Sequence, residues 1–315
     1  MKWILGVTCI ALVIGVVATM SIPAQTITPD EATLKLFPLE TQGIAFVDVA
    51  GLRGSTLFNE LILQKLPHPE ELNEFAQATG FDVMRDVDRV TVGRVDQRDV
   101  LAIVQARYDN FKVEQYVKDK ADHIVTETYL GRVIYRGNGD SERSGGVSFI
   151  NNLIVGGSLS AVKQAIDRLA APAPNVVQNA ELMDQIRTIE AGNQIWAAGK
   201  VDMNLFGART PDKIEEMAGS LKSGTYQMRI DQDVHVRASG IFGSAEMAKS
   251  TGDTLRGLMA MARLQVSGAP DDKLLRLLDG LSIENSNDRV LVTFNTTGTL
   301  LKELQEMKGL RGLVR

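Results

Sequence analysis

The sequence predicts an α+β protein of two related units, each an antiparallel sheet with helices packed on one face, after an N-terminal signal or anchor segment. Strands that alternate apolar and polar residues, amphipathic helices beside them, and one long apolar run at the N-terminus predict this class. The 315 residues are 44% hydrophobic and 23% charged, which excludes disordered, fibrous and polytopic membrane proteins. This length is enough for two domains of about 150 residues, each with its own core.

The first 24 residues are the predicted export segment. Lys2 precedes an uncharged, almost wholly apolar run, and Ala24 comes just before a polar stretch. This order is typical of a secretory signal peptide, here cleaved between Ala24 and Gln25. The alternative is an uncleaved anchor, because residues 3–22 at ~1.5 Å each can cross about 30 Å of hydrocarbon. Both alternatives predict that the rest of the chain is periplasmic or extracellular. The uncleaved anchor would in addition hold it at the inner membrane.

The amino-acid composition limits the kinds of bond and partner that the chain after the leader can have. The only cysteine, Cys9, lies in the apolar run, so cleavage would leave a cysteine-free mature chain without disulfides. The 34 Lys and Arg residues and the 39 Asp and Glu residues are mixed along the chain and give a net charge of −5. This balance predicts no nucleic-acid partner. Membrane contact is expected only through residues 3–22, if they are retained.

An Ala/Pro linker at residues 171–179 divides the body into unit 1, residues 25–170, and unit 2, residues 180–315. Pro172 and Pro174 cannot continue a helix. Before the linker, residues 158–169 carry apolar side chains at helical spacing. After it, Asn179 is the predicted N-cap of a helix that Gly192 stops.

The strands are predicted to form antiparallel sheets. Residues 225–230 and 234–239 alternate apolar with polar side chains, which is typical of a sheet with one buried and one solvated face. Only residues 100–104 are continuously apolar.

Short segments recur in the two units and predict an internal duplication. Residues 39–44 and 189–195 both lead into a strand, and residues 94–100 and 229–234 both form a hairpin turn. The offset between matching residues falls from 195 − 44 = 151 to 229 − 94 = 135. A deletion in unit 2 explains the change, because unit 1 carries an extra loop, Pro67-His68-Pro69, and a short helix that ends at Gly80.

Ser160 and Lys163 are the only nameable candidates for catalysis, and they are weak ones. Together with residues 222–225, Lys-Ser-Gly-Thr, they are similar to the Ser-x-x-Lys and Lys-Thr-Gly elements of penicillin-binding enzymes and β-lactamases. The intervening stretch leaves little room for the helical domain of those enzymes. Their Ser-Asp-Asn element is missing as well, and residues 286–288 carry only a scrambled version of it. An ordinary helix start explains the serine better.

Neither the histidines nor the paired acids form a recognisable site. A serine triad would have to use one of only three histidines, and no acidic pair continues with the spacing of a calcium loop. The sequence therefore predicts no metal and no cofactor. The residues concerned are His68, His123, His235, Asp86, Asp88, Asp96, Asp99, Asp231 and Asp233.

The chain resembles an uncharacterised family of exported or anchored bacterial proteins classed as a domain of unknown function. The resemblance is carried by residues 36–49 (LFPLETQGIAFVDV), 129–135 (YLGRVIY) and 149–166 (FINNLIVGGSLSAVKQAI). It covers mainly residues 33–170, implies export and this architecture, and brings no functional residue to the sequence.

Three functions remain open at this stage. The first is an exported, non-catalytic envelope protein that binds an unknown partner or ligand through a cleft between the units or an exposed sheet face. The second is an unrecognised serine hydrolase of envelope substrates, and the third is a membrane-anchored structural spacer.

Overall fold

The computed structural model describes residues 30–61, 70–96, 99–120, 124–137, 145–200, 219–267 and 272–306. The predicted leader with its cleavage site at Ala24 and Gln25, the Pro67-His68-Pro69 loop and His123 lie outside the described residues. Within the described ranges, no helix is both long and apolar enough to span a bilayer.

Twelve strands of the described residues form one continuous antiparallel sheet in the order β11-β12-β10-β9-β8-β1-β2-β3-β7-β6-β5-β4. The pairing of β1 with β8 joins the N-terminal part of the sheet, β1 to β7, to the C-terminal part, β8 to β12. The strands are β1 Gly43–Asp48, β2 Val87–Arg94, β3 Val100–Ala106, β4 Ile124–Tyr129, β5 Arg132–Gly137, β6 Gly145–Ile150, β7 Leu153–Ser158, β8 Ile195–Gly199, β9 Leu221–Ile230, β10 Asp233–Phe242, β11 Leu281–Ser286 and β12 Arg289–Thr297.

Helices flank the sheet and connect its strands. They are α1 Glu31–Leu34, α2 Val49–Arg53, α3 Thr56–Leu61, α4 Glu70–Thr79, α5 Val83–Asp86, α6 Asn110–Lys120, α7 Leu159–Ala170, α8 Ala180–Arg187, α9 Ala245–Val266, α10 Lys273–Asp279 and α11 Gly298–Glu306, with a 3-10 turn at Val176–Gln178.

The two faces of the sheet carry separate cores, because successive strand residues point to opposite sides. Phe46 and Trp196 belong to the core under α1, α7 and α8, on what we call the α7 face. Val104 and Met228 belong to the opposite core, on the α9 face, which α2 to α6 cover in the N-terminal part and α9 to α11 cover in the C-terminal part. No described helix covers the α7 face of β10, β11 and β12.

The predicted α+β class is confirmed, with two differences in detail. The two expected sheets are one sheet, because β1 and β8 pair directly along their length. In the N-terminal part, helices also cover both faces rather than one. The reason is that neighbouring residues of β3, such as Ile103 and Val104, are buried on opposite sides of the sheet.

The helix starts that the sequence predicts are confirmed, but one helix end is wrong. Ser158 caps α7 by accepting from the backbone N–H of Ala161, and Asn179 caps α8. Gly192 does not end α8, which finishes at Arg187. Backbone hydrogen bonds between residues three apart tighten the chain immediately after Arg187, and they close the helix before the glycine is reached.

Both predicted hairpin turns are confirmed by the strand register. Arg94 pairs with Val100 across the first turn, and Ile230 pairs with Val234 across the second. Gly80 also ends α4 as expected, since its φ of +76° is a left-handed conformation that glycine adopts without strain.

The sheet has two distinct ends. The β4–β5 turn, the β6–β7 turn and the ends of β1 and β3 lie at what we call the basal end, where Ala106 N–H donates to the carbonyl of Asn152 at 2.9 Å. The described chain also begins here, because Gln105 Nε2 donates to Asp30 Oδ2 at 3.1 Å. The opposite end, where β1 begins and β8 finishes, is called the cleft end.

Candidate functional site

The joint between β1 and β8 is unusually close at the cleft end. Gly199 has a φ of +138°, and a Cβ atom there would lie 2.3 Å from Gly43 Cα. Only glycine fits, since a side chain would be strained and would collide with the opposing backbone. After Gly199, the backbone N–H of Lys200 donates to the carbonyl of Gln42 at 2.9 Å, which holds the two strand ends together.

Asn179 fixes the start of α8 above this joint. Its Oδ1 accepts from the backbone N–H of Leu182 at 3.2 Å as an N-cap. Its Nδ2 donates to the carbonyls of Leu39 and Thr41 at 3.2 and 3.3 Å. One side chain therefore ties the helix to the segment that leads into β1.

A small cleft opens between α8 and the joint. Its volume is about 60 Å³, enough for a few water molecules or for one end of a larger ligand. It lies where the N-terminal and C-terminal parts of the sheet meet. Its lining comprises Glu40, Thr41, Gln42, Asn179, Glu181, Leu182, Gln185, Gly199 and Lys200.

Two lining side chains are buried and have unsatisfied oxygens. Thr41 is 0% exposed and Gln185 is 9% exposed. Neither Thr41 Oγ1 nor Gln185 Oε1 has a hydrogen-bond partner among the described residues. A buried polar atom left unpaired costs about 1–3 kcal/mol. Both oxygens lie beneath the surface of the cleft, so a donor from a bound molecule reaches them only if the lining side chains move.

The rim of the cleft is charged. Glu40, Glu181 and Lys200 are all exposed. Two guanidinium groups lie nearby as well, because Arg94 donates to the carbonyl of Lys200 and Arg168 interacts with Glu40. The rim therefore carries both signs and does not by itself select the charge of a ligand.

A second polar group lies in the same core but at the basal end. Asp48 of β1 is 3% exposed, and burial raises its pKa although it accepts from the backbone N–H of Gly51 and lies near Arg89. The backbone N–H of Asp48 donates to the carbonyl of Gln194 across the joint, and Gln194 is fully buried. Both side-chain polar atoms of Gln194 lack partners among the described residues, so the basal end of the joint also contains unsatisfied buried polar atoms.

The two catalytic candidates from the sequence are not arranged for catalysis. Lys163 Nζ lies 2.6 Å from Glu127 Oε1 and 5.4 Å from the centre of the Tyr129 ring. Ser160 is exposed on α7, and its hydroxyl accepts from Gln164 Nε2 at 3.3 Å. The lysine is therefore held by a carboxylate and an aromatic ring rather than by the serine.

The Lys222–Thr225 segment does not approach Ser160 either. It belongs to β9, whereas Ser160 follows β7, and β8, β1, β2 and β3 lie between these strands. Five steps of about 4.8 Å separate the two strands by roughly 24 Å. The strand that would hold substrate in a penicillin-binding enzyme therefore lies too far away to do so here.

The remaining candidates have local roles. His235 Nδ1 lies 2.9 Å from Asn295 Oδ1 on the solvated α7 face, and Asp231 caps its own turn by accepting from the N–H of Asp233. Asp86 bonds to Arg85, while Asp88 bonds to Arg53. Among the described residues, no group of three or more potential metal ligands comes together.

The open α7 face of the C-terminal part is the other surface that the sequence analysis names. Its polar side chains bind one another: Arg237 pairs with Glu190, and Ser282 hydrogen-bonds to Thr293 at 2.9 Å. Each of these side chains has a partner, whereas Thr41 Oγ1 and Gln185 Oε1 beneath the cleft have none among the described residues. The cleft is therefore the stronger candidate site.

Sequence reasoning missed Thr41 and Gln185. One signal was present, because Gln185 follows Leu182 by three residues and so lies on the buried stripe of the predicted helix. A polar residue on such a stripe is a candidate for a site. No protein-family model, curated protein or solved structure matches this chain.

Proposed function

We propose that this protein is an exported, non-catalytic binding protein that takes one end of a polar ligand into the cleft between α8 and the β1–β8 joint. The observation that carries the proposal is the pair of buried, unsatisfied oxygens, Thr41 Oγ1 and Gln185 Oε1, which lie directly beneath the lining of an open cleft. A ligand that donates a hydrogen bond to each would recover the cost of burying them. The export part of the proposal depends on the apolar leader, residues 3–22.

The ligand class follows from the chemistry of the cleft. Gln185 Oε1 can only accept, and the hydroxyl of Thr41 can accept or donate. Both oxygens therefore favour an end group that donates hydrogen bonds. We therefore propose an amino or amino-alcohol end group, with the rest of the ligand extending into solvent through the open mouth.

We also propose that the cleft arose at the junction of a duplicated unit. The strand order β11-β12-β10-β9-β8 is repeated in reverse as β1-β2-β3-β7-β6. The pair Leu101–Gly157 becomes Arg237–Thr293 when 136 is added to both numbers, and that is also a strand pair. Asn151 and Asn287, which are 287 − 151 = 136 residues apart, both have positive φ in a tight turn.

The strand pairs support an alignment of the two halves that differs from the one predicted from the sequence. Offsets of 151 and 135 are odd, and an odd offset between antiparallel halves assigns matching residues to opposite faces. Ile44, for example, lies in the core of the α7 face and Ile195 in that of the α9 face. An even offset keeps matching residues on the same face: 136 relates β2, β3, β6 and β7 to β9, β10, β11 and β12, and 152 relates β1 to β8. We propose the duplication with these offsets, each one residue away from the sequence alignment.

No observation favours the hydrolase or the spacer over binding. The hydrolase would need Ser160 and Lys163 to act together, and Lys163 instead pairs with Glu127. A spacer would not need an open cleft at the joint.

The test is to identify what the cleft retains. The chain would be purified from the envelope of producing cells and analysed by native mass spectrometry, with Thr41→Val and Gln185→Met beside the wild type. We expect a bound small molecule that carries an amino group, with its occupancy strongly reduced in both variants. Gln164→Met on α7, away from the cleft, is the matched control and should keep wild-type occupancy.

Two results would reject the proposal. One is a ligand that both cleft variants retain at wild-type occupancy. The other is a wild-type chain that carries no ligand and whose unfolding temperature does not change with a panel of small amines and amino alcohols.

A further inference from the structure

The sheet ends in two edge strands, β11 and β4. At each edge a two-residue turn decides which backbone groups point outward, because the residues that flank such a turn form a hydrogen-bonded pair. For β11 the flanking pair is Ser286–Arg289. Ile283 and Asn285 therefore belong to the two alternating sets such that their N–H and C=O groups point away from β12.

The β11 edge is covered by α9. Arg256 Nη1 donates to the outward carbonyl of Ile283 at 3.2 Å and to Asn285 Oδ1 at 2.7 Å. Asn285 Nδ2 in turn donates to the carbonyl of Ala248, near the start of α9, at 2.6 Å. A helix that occupies an edge in this way protects it from pairing with another strand.

The β4 edge has no such cover among the described residues. Its flanking pair is Tyr129–Arg132, so Ile124, Thr126 and Thr128 direct their N–H and C=O groups away from β5. No described residue hydrogen-bonds to these outward groups. The side chains of Thr126 and Thr128 are exposed as well. This edge is therefore open to another strand.

β4 also lacks the sequence features that usually prevent an edge strand from pairing. It contains no proline and no lysine, and it pairs with β5 over six consecutive residues without a bulge. Its only charged residue, Glu127, is held by Lys163 of α7 at 2.6 Å and by Arg136 of β5 at 3.7 Å. The other residues are isoleucine, valine, threonine and tyrosine, which favour strands. A regular, exposed edge of this composition is a surface onto which another strand can add.

The β4 edge is complementary to itself. A twofold axis at Thr126 would place this residue opposite Thr126 of a second copy, and Ile124 opposite the second copy's Thr128. All of these residues direct backbone groups outward, so each pair would exchange two hydrogen bonds. Val125 would lie opposite the second copy's Glu127, so no two like charges would be directly opposed.

The chain already uses this kind of pairing to join the two parts of its sheet. β1 and β8 run antiparallel over five residue pairs, from Gly43–Gly199 to Val47–Ile195. A twofold axis perpendicular to the sheet keeps each face on its own side. Two paired β4 strands would therefore continue the α7 face of one copy into the α7 face of the other.

We propose that two copies of this chain associate edge to edge through β4, in an antiparallel register centred on Thr126. The two sheets then form one continuous sheet. β2, β3, β7, β6 and β5 lie between this interface and β1, so the cleft at the β1–β8 joint stays open in the dimer. The inference does not depend on the ligand of the cleft.

The first test is crosslinking at the proposed axis. Thr126→Cys and Thr128→Cys are introduced singly in a Cys9→Ser background, and the full chains are purified from the envelope. In the proposed dimer the two Cα atoms at position 126 lie about 5.5 Å apart. Those at position 128 lie about 14 Å apart along the strands, because four residues of ~3.4 Å separate them. A thiol crosslinker shorter than this second distance should join Thr126→Cys chains into dimers and leave Thr128→Cys, the matched control, monomeric on a denaturing gel.

The second test exchanges charge at the same position without cysteine. Thr126→Lys and Thr126→Glu each place like charges directly opposite each other, so each variant alone should lose the dimer seen by native mass spectrometry. A mixture of the two should regain a dimer that contains one chain of each kind, which also shows that both variants are folded. Thr126→Val keeps the backbone groups and the strand propensity and should remain dimeric.

Four results would overturn the inference. A wild-type chain that stays monomeric as its concentration rises does not pair through this edge. A dimer that Thr126→Lys leaves intact uses another surface. Crosslinking through Thr128→Cys instead of Thr126→Cys excludes the proposed register. A different protein that copurifies with the wild type and is lost from Thr126→Lys would show that a foreign strand occupies the edge. Ligand occupancy of the cleft is measured separately, so none of these results bears on the proposed function.

Discussion

Replacing Gln185 by methionine should stabilise the ligand-free protein while it abolishes ligand binding. The side chain is 9% exposed, and its Oε1 has no partner within the described residues. Removing an unsatisfied buried acceptor recovers about 1–3 kcal/mol, and methionine preserves both helix propensity and most of the volume. We therefore expect the unfolding temperature of the ligand-free chain to rise by about 2–6 °C.

The assay is differential scanning calorimetry of the full chain after the ligand has been stripped by dialysis under mild denaturation and refolding. Gln265→Met, an exposed position on α9, is the control and should change stability by less than about 0.5 kcal/mol. When ligand is restored, only the wild type should gain stability, because only the wild type binds it.

A lower unfolding temperature for Gln185→Met without ligand would refute this reasoning. It would mean that the amide makes a stabilising interaction in the empty protein and that the cleft is already satisfied. Equal gains for both variants on adding ligand would also refute it, because the ligand would then bind elsewhere.

Three further predictions concern the rest of the fold. Ser160→Ala should change the free energy of unfolding in urea by less than about 0.5 kcal/mol, because the residue is exposed and Ser158 is the helix cap; loss of an esterase activity in a folded variant would instead favour the hydrolase. Leu130→Asn should stabilise the chain in urea by about 1 kcal/mol, because asparagine tolerates positive φ, and a loss would contradict the strain argument. Burial raises the pKa of Asp48, so the folded state keeps its proton where the unfolded chain has lost it, and wild-type stability should fall as pH rises through the raised pKa. Asp48→Asn keeps the cap on Gly51 and lacks this slope, so its stability relative to wild type should increase from pH 3.8 toward neutrality; a constant difference across that range would show that Asp48 is not the group responsible.

Local structure could be predicted from the sequence because it depends on neighbouring residues. Ser158 and Asn179 cap helices in the structure, as their positions before apolar stripes predict. The two hairpin turns are also where the alternating strands require them. A helix cap or a hairpin turn depends only on a few residues that are neighbours in the sequence.

The joint could not be predicted because it depends on residues far apart in the chain. Gly43 and Gly199 are each unremarkable in sequence, and only their mutual approach shows why Gly199 cannot carry a side chain. Thr41 and Gln185 line the same cleft although they lie far apart in the sequence, and no local sequence pattern links them. The short motifs that predict a repeat could not fix its register to one residue, and one residue decides which face a strand buries.

The proposed duplication also explains why the two ends of the sheet differ. An offset of 136 relates Phe111 on α6 to Met247 on α9, and both are exposed apolar residues near the start of a helix. Because matching strands run in opposite directions, one of these residues lies at the basal end and the other at the cleft end. Duplication alone would therefore give both ends the same apolar character.

The two helices that the offset relates differ in length. α6 has 11 described residues whereas α9 has 22, and α9 carries Met261 and Leu264 toward the basal end of β11. At about 1.5 Å per residue, the extra 11 residues add roughly 16 Å of helix. In the proposed duplication, this difference in helix length sets the C-terminal half of the sheet apart from the N-terminal half.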